Sequence, residues 1–485
     1  VSSEISVLSH YPEYELTIGI EVHVQLFTLS KIFCASPNGI CKDPNTNICP
    51  VCAGYPGVLP VLNKKVLDKA ILAGLATNSQ ITRNSMFARK HYFYPDLPKN
   101  YQITQSDLPI CTKGYVPIRT EDGSIKNIRL TRIHMEEDAG KSIHAGDSNE
   151  SFVDLNRAGT PLLEIVTEPD INSTYEAKAY LKALRSIVQY LGISTGNMEE
   201  GAFRADTNIS VRKKGAKKLG TRAELKNINS FKFIGDAIEH EIERQIELIE
   251  SGGTVCQETR LWDTKNKKTI VMRSKEEAAD YRYFTDPDLP EIHIDDEWIE
   301  RIRFTMPELP MQKFERLVTK GLTPYEAEII VDDQQLAAYY EQAAQLSSGK
   351  QIVNWILRDV IGYLKEHKLS LSEFKVSPEK LAALIELIEE GTINNATAKE
   401  VFEEIAVNGK NPADVVKEKG LEQMGSVEEL EAIVAEIIAA NPTVVTDYKA
   451  GKEKLFGFFV GQAMQKTKGK GNPKILQDLL KKHLK

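Results

Sequence analysis

No stretch of the 485-residue chain approaches the ~18 consecutive apolar residues that a membrane-spanning helix needs, which excludes an integral helical membrane protein. The first fifteen residues hold no basic segment followed by an apolar run and no arginine-rich, acid-poor leader. Neither a secretory signal nor a transit peptide is expected, and the expected compartment is the cytoplasm. A phosphate-binding loop is missing as well. Residues 133–142, IHMEEDAGKS, end on Gly-Lys-Ser, but the glycine required five positions before Gly140 is replaced by Met135. What remains is an acidic run, Glu136, Glu137 and Asp138, which can be a solvated loop or a source of the hard oxygen ligands that Mg²⁺ takes. Arginine is absent from residues 441–485, where ten lysines face only Asp447, Glu453 and Asp478. That segment carries +7 and the rest of the chain −15, within a total of −8. A basic tail on an acidic body suits nucleic-acid phosphates, although lysine also suits the C-terminal ends of helices.

What is present is ordinary for a soluble globular protein, 41% apolar and 27% charged, and the length suggests about three domains. The expected fold class is α+β. Residues 1–295 mix strand-like and helix-like stretches, and 296–408 are almost wholly helical. A weaker boundary at the NGKNP turn leaves 409–485 as a small basic helical domain. LTIGIEVHVQL (16–26) alternates and is β-branched, which predicts a strand. Residues 175–191 and 231–250 place apolar residues on one helical face, the first with Ser173 or Thr174 as N-cap and Gly192 as its stop.

Strand alternation then sorts the charged residues, because i and i+2 share a face. Glu21 and His23 fall together, as do Arg204, Asp206 and Asn208, and Glu224 and Lys226. Glu164 sits within the apolar PLLEIV, where a lone carboxylate is costly to bury unless paired or bound to a cation. A sheet face that gathers Glu, His and Asp is a reasonable cradle for a divalent metal with nucleotide phosphate, although polar sheet faces also simply meet solvent. Parity does not decide between Glu136 and Glu137. RKHYFYPDLPKNYQ (89–102) and DYRYFTDPDLP (280–290) interleave aromatics with cations, a composition that suits stacking on a base or packing at a domain edge. Four of the six cysteines, Cys34, Cys41, Cys49 and Cys52, fall within nineteen residues, and four thiolates in a cytoplasmic chain suit a closed structural Zn²⁺ site. Cys111 and Cys256 stand alone.

Over essentially its full length the chain resembles the B subunit of the glutamine-dependent aspartyl/glutamyl-tRNA amidotransferase. The matching stretches include IGIEVHVQL, CPVCAGYPGVLPVLNK, RKHYFYPDLPKNYQITQ, HMEEDAGKS, VDLNRAGTPLLEIVTEPD, MEEGAFRADTNIS, AELKNINSF, DYRYFTDPDLP and DYKAGKEKLFGFFVGQAMQKTKGKGNP, in the family's order. The resemblance implies an N-terminal cradle similar to the glutamine synthetase fold, with an open antiparallel sheet. It also implies a carbon-nitrogen ligase with glutamine as nitrogen donor. ATP phosphorylates the side-chain carboxylate of Glu or Asp on mischarged Glu-tRNA(Gln) or Asp-tRNA(Asn), and ammonia displaces the phosphate.

The ligands the resemblance implies for Mg²⁺ and phosphate are Glu21, His23, Glu137, Glu164, Asp206 and Glu224, with Glu137 chosen over Glu136 on resemblance alone. Lys90, Arg204, Lys226 and Arg282 are the expected phosphate-facing cations, and Lys452, Lys454, Lys466, Lys468 and Lys470 the expected tRNA contacts. No amidase or cysteine glutaminase motif is present, so the resemblance implies a heterotrimer. Its other members would be the amidase, or A, subunit, which releases the ammonia, and a small C subunit. The rival reading is a non-catalytic tRNA-binding scaffold whose acidic faces are inert.

Overall fold

Leu16, Ile18, Ile20, Val22 and Val24 are each at most 2% exposed, while Glu15, Glu21, His23 and Gln25 point the other way along the strand Tyr14–Gln25. Each buried aliphatic side chain contributes roughly 1.5–3 kcal/mol, so this alternation fixes which face turns inward. The computed structural model describes residues 6–144, 150–274, 280–347, 350–422, 427–449, 451–467 and 471–484. Lys468 and Lys470 lie outside them.

The strand is near the middle of a nine-stranded sheet. From edge to edge the order is Lys268–Ser274, Glu258–Asp263, Ala223–Ile228, Phe203–Lys213, Tyr14–Gln25, Pro161–Thr167, Ile125–Glu137, Cys111–Arg119 and Gln80–Ile81. Neighbours are antiparallel except Ala223–Ile228 with Glu258–Asp263, so the sheet is mixed where the resemblance implied an antiparallel one. The helix Phe231–Glu250 forms the crossover that a parallel pair requires.

Three helices cover the apolar side through one shared core. Thr174–Tyr190 contributes Ala177, Tyr180, Leu181, Leu184, Ile187 and Val188, Phe231–Glu250 contributes Ile234, Ile238, Ile242 and Ile246, and Lys64–Ala76 contributes Val66, Leu67, Ala70 and Ile71. Their starts are chemically marked: Ser173 accepts from Glu176 N–H and Ser230 from Phe233 N–H. Gly192, at φ 62, stops the first of these two, as its position predicts. A smaller sheet of Phe284–Thr285, Ala88–His91 and Tyr101–Thr104 carries the two aromatic-cation stretches.

The chain divides into two units, residues 1–313 and 314–485, so the main division falls later than the change of texture near residue 295. The reason is the helix Asp296–Phe304, which lays Ile299 and Ile302 into the N-terminal core. The second unit is helical. Its last part, Val427–Ala440, Pro442–Lys449, Phe456–Lys466 and Pro473–Leu484, closes on Leu430, Val434, Phe459, Leu476 and Leu480. Among the described residues no helix is long and apolar enough to cross a membrane.

Candidate active site

The face of the sheet opposite the helices is chemically patterned by register. His134, Glu164 and His23 are consecutive cross-strand partners, and His23 in turn faces Arg204. Two residues along the strand, Glu21 faces Asp206. These pairings bring together two groups whose candidate ligand atoms lie within 4.8 Å of one another: His23, Glu136 and Glu164, and Glu21, Asp206 and Glu224.

In the first group His23 Nε2 is 3.2 Å from Glu164 and 3.6 Å from Glu136, and His134 Nε2 is 3.5 Å and 3.7 Å from the same carboxylates. Glu164, anomalous in its apolar strand, is therefore buried but paired. Burial opposes its charge, yet His134 and His23 hold it well below the usual carboxylate range. Burial likewise opposes the His134 cation, but Glu164 and Glu136 raise it to about 9. In the second group Lys226 bridges Asp206 and Glu224, and Asn208 donates to Glu21 at 3.3 Å. Burial raises Glu21, with the Glu164 carboxylate adding to it, while burial opposes Lys226 and Asp206 and Glu224 overcome it.

Both groups border a cavity of about 440 Å³ lined by Glu21, His23, His134, Glu164, Glu224, Lys226, Arg132, Lys90, Tyr281 and Tyr283, with Thr104, Gln105 and Ser106. Lys90 enters from the small sheet, with Nζ 4.8 Å from the Tyr281 ring centre. Burial opposes its charge and Glu136 favours it. Among the described residues Lys90 has no carboxylate within ion-pair distance. Arg204 donates to Asp138 at 3.0 Å, and its Nε is buried with no hydrogen-bond partner among the described residues. An orphaned buried donor beside carboxylates suits an anionic oxygen.

Three expected residues are placed differently. Glu136, not Glu137, joins the first group. Glu137 lies at the strand's end on the parity of Met135, where it accepts from Ile103 N–H at 2.9 Å and pairs with Lys99. Arg282 lines a neighbouring cavity of about 580 Å³ with His91, Tyr92, Phe93, Tyr94 and Phe284, while the residues on either side of it, Tyr281 and Tyr283, face the carboxylates. In the cysteine loop, Cys34, Cys49 and Cys52 come together and Cys41 does not; it is exposed, with Sγ 3.0 Å from Thr46 Oγ1. A hydrogen bond from Cys34 pulls Cys52 down to about 4, and the same bond, with burial, pushes Cys34 up.

Of the described tail lysines, Lys452 pairs with Asp447 at 3.1 Å, Lys466 pairs with Glu436, and Lys454 is exposed. His134 and Arg132 were not among the expected residues. Their signal was the i, i+2 spacing to Glu136 within RIHMEE.

By its chemistry this is a mixed-sheet protein with one face given to its core and the other suited to hard cations and anionic oxygens. Residues 16–300 match the family described as the GatB/GatE catalytic domain, and residues 338–484 match the GatB domain. The chain is 52% identical over 477 residues to the aspartyl/glutamyl-tRNA(Asn/Gln) amidotransferase B subunit of Carboxydothermus hydrogenoformans, covering 97% of this chain and 99% of that one. It is 54% identical to the protein of that name from Geotalea daltonii, with the same coverage. The Persephonella marina relative, also of that name, is 52% identical, with 98% of this chain and 100% of that one covered. The chain belongs to this family of amidotransferase B subunits.

Proposed function

We propose that this chain is the carboxylate-activating member of the amidotransferase. ATP phosphorylates the side-chain carboxylate of Glu on Glu-tRNA(Gln), or Asp on Asp-tRNA(Asn). Ammonia from a glutaminase partner then displaces phosphate to give Gln-tRNA(Gln) or Asn-tRNA(Asn). A carboxylate is a poor electrophile for ammonia, whereas an acyl phosphate carries a good leaving group, so the work is positioning and charge neutralisation. The observation that supports this reading most directly is the pair of three-ligand groups bordering one cavity with a half-buried Lys90 that has no carboxylate partner among the described residues.

His23, Glu136 and Glu164 would hold one Mg²⁺, and Glu21, Asp206 and Glu224 a second. Bound there, Mg²⁺ supplies neutralisation of phosphate charge. The remaining tasks fall to the chain. His134 orients Glu164 and Glu136 from the far side. Lys90 and the orphaned Nε of Arg204 receive phosphate oxygens, and Lys226 keeps Asp206 and Glu224 together. The cysteine loop is a structural zinc site. The amidase (A) and small (C) partners complete a cytoplasmic heterotrimer, and the exposed Lys454 of the tail contacts tRNA phosphate.

The test is ATP hydrolysis by the chain copurified with its partners, with and without Glu-tRNA(Gln) and Mg²⁺. Turnover that requires both and falls at least a hundredfold in Lys90→Met supports the reading. Tight tRNA binding with no stimulated hydrolysis would make the chain a tRNA-presenting scaffold.

A further inference from the structure

We propose that the cysteine loop holds its zinc through three thiolates, with the Ser36 hydroxyl at the fourth corner and Lys31 as buried counter-cation, and that Cys41 takes no part. This rests on the structural-zinc reading above and states which side chains complete the site. Cys49 Sγ and Cys52 Sγ are 3.9 Å apart, and all three sulfurs lie within 4.8 Å of one another. Tetrahedral zinc with bonds of about 2.3 Å sets its sulfurs roughly 3.8 Å apart, so the three thiols fit with little movement.

The fourth corner is the informative one. Counting cysteines assigns it to Cys41, but that thiol is exposed and engaged with Thr46. Ser36 Oγ, on a residue only 8% exposed, lies 3.8 Å from Cys52 Sγ and beside Cys34. An oxygen rather than a fourth sulfur is therefore the next donor beside the trio.

Lys31 supplies an independent argument from charge. It is 0% exposed, and its Nζ donates to Asn47 O at 2.9 Å and to Cys52 Sγ at 3.6 Å. Among the described residues no carboxylate lies within ion-pair distance of it. A buried ammonium needs a buried anion. Zn²⁺ with three thiolates carries one negative charge, which Lys31 balances, whereas four thiolates would leave one charge uncompensated. Lys31 never touches the metal and acts through Cys52, so it is a positioning residue of the kind that tunes ligand strength from outside the coordination sphere.

The test measures zinc per chain by elemental analysis, the thiolate-to-cobalt charge-transfer band after Co²⁺ exchange, and metal loss to a competing chelator. The variants are Cys41→Ser, Ser36→Cys and Lys31→Met. Cys41→Ser is expected to keep one zinc and an unchanged band. Ser36→Cys is expected to strengthen the band by about a third and slow metal loss, because a fourth sulfur replaces the oxygen. Lys31→Met is expected to keep the three-thiolate band while yielding its metal about 10- to 100-fold more readily. Loss of zinc or a weakened band in Cys41→Ser would overturn the inference and leave the zinc reading intact, as would unchanged chelator competition in Lys31→Met. A wild-type chain that takes up neither metal would overturn both.

Discussion

Glu136 and Glu137 are adjacent in sequence and opposite in role, which gives the most discriminating test of the site. Glu136→Gln keeps the side chain's shape and removes one charged member of the group formed with His23 and Glu164. Removing a single group that neutralises developing charge costs about 3–4 kcal/mol of transition-state stabilisation, a fall in kcat of roughly 10²–10³. Folding is less affected, because the isosteric amide keeps its hydrogen-bonding capacity and Glu164 still pairs with both histidines. Glu137→Ala does the reverse. It strips the half-buried Lys99 of its carboxylate and the buried Ile103 N–H of its acceptor. Breaking one side of a buried pair costs about 3–5 kcal/mol. In a unit of this size that lowers Tm by roughly 5–8 °C. The assay is tRNA-stimulated, Mg²⁺-dependent ATP hydrolysis below both melting points, with thermal unfolding measured in parallel. An inactive but folded Glu137→Ala beside an active Glu136→Gln would refute the assignment drawn from register.

Three further outcomes are expected. In the metal-free chain His134 is raised from 6.5 to about 9, so its charged pairing with the glutamates stabilises fully below about pH 6.5 and is lost as pH rises through 9. Thermal scans in EDTA should show Tm declining across that window, and a Tm rising there would contradict the pairing. Lys226→Met leaves Glu21, Asp206 and Glu224 without their bridging cation, so unfolding should shift down by several degrees in EDTA and recover substantially with millimolar Mg²⁺. Absence of recovery would separate that group from metal binding. Lys454→Ala should reduce the dependence of log Kd for tRNA on log salt by about 0.7–0.9, whereas an unchanged slope would remove Lys454 from the interface.

Much of the sheet was legible because one side of it is packed. The alternation in LTIGIEVHVQL gave both the strand and the shared face of Glu21 and His23, and Glu164 announced a partner by its apolar company. The same logic stalled at Glu136, because the strand that carries it begins among polar residues, IKNIRLTR, that hide its phase and make its acidic end look like a loop. Arg282 escaped for a different reason. Its backbone is at φ 44, outside any strand, so its aromatic neighbours rather than its own side chain reach the carboxylates. In the cysteine loop, spacing counts sulfurs but the path of the chain ranks them. Residues 34–52 have no helix or long strand to make that path readable. The division after Lys313 was masked by Asp296–Phe304, whose composition belongs with the following helices and whose packing belongs with the preceding sheet.

The register that joins His134 to Glu164 and Glu164 to His23 also has a bearing on quality control. Sliding Tyr14–Gln25 by one residue would turn Glu21 and His23 into the apolar layer and expel Ile20 and Val22 from it. A one-residue slip therefore loses the core and the ligand set together. A slip by two would keep the apolar layer but part His23 from Glu164 and Glu21 from Asp206, so the ligand pairing is held by hydrogen-bond register and not by the core alone.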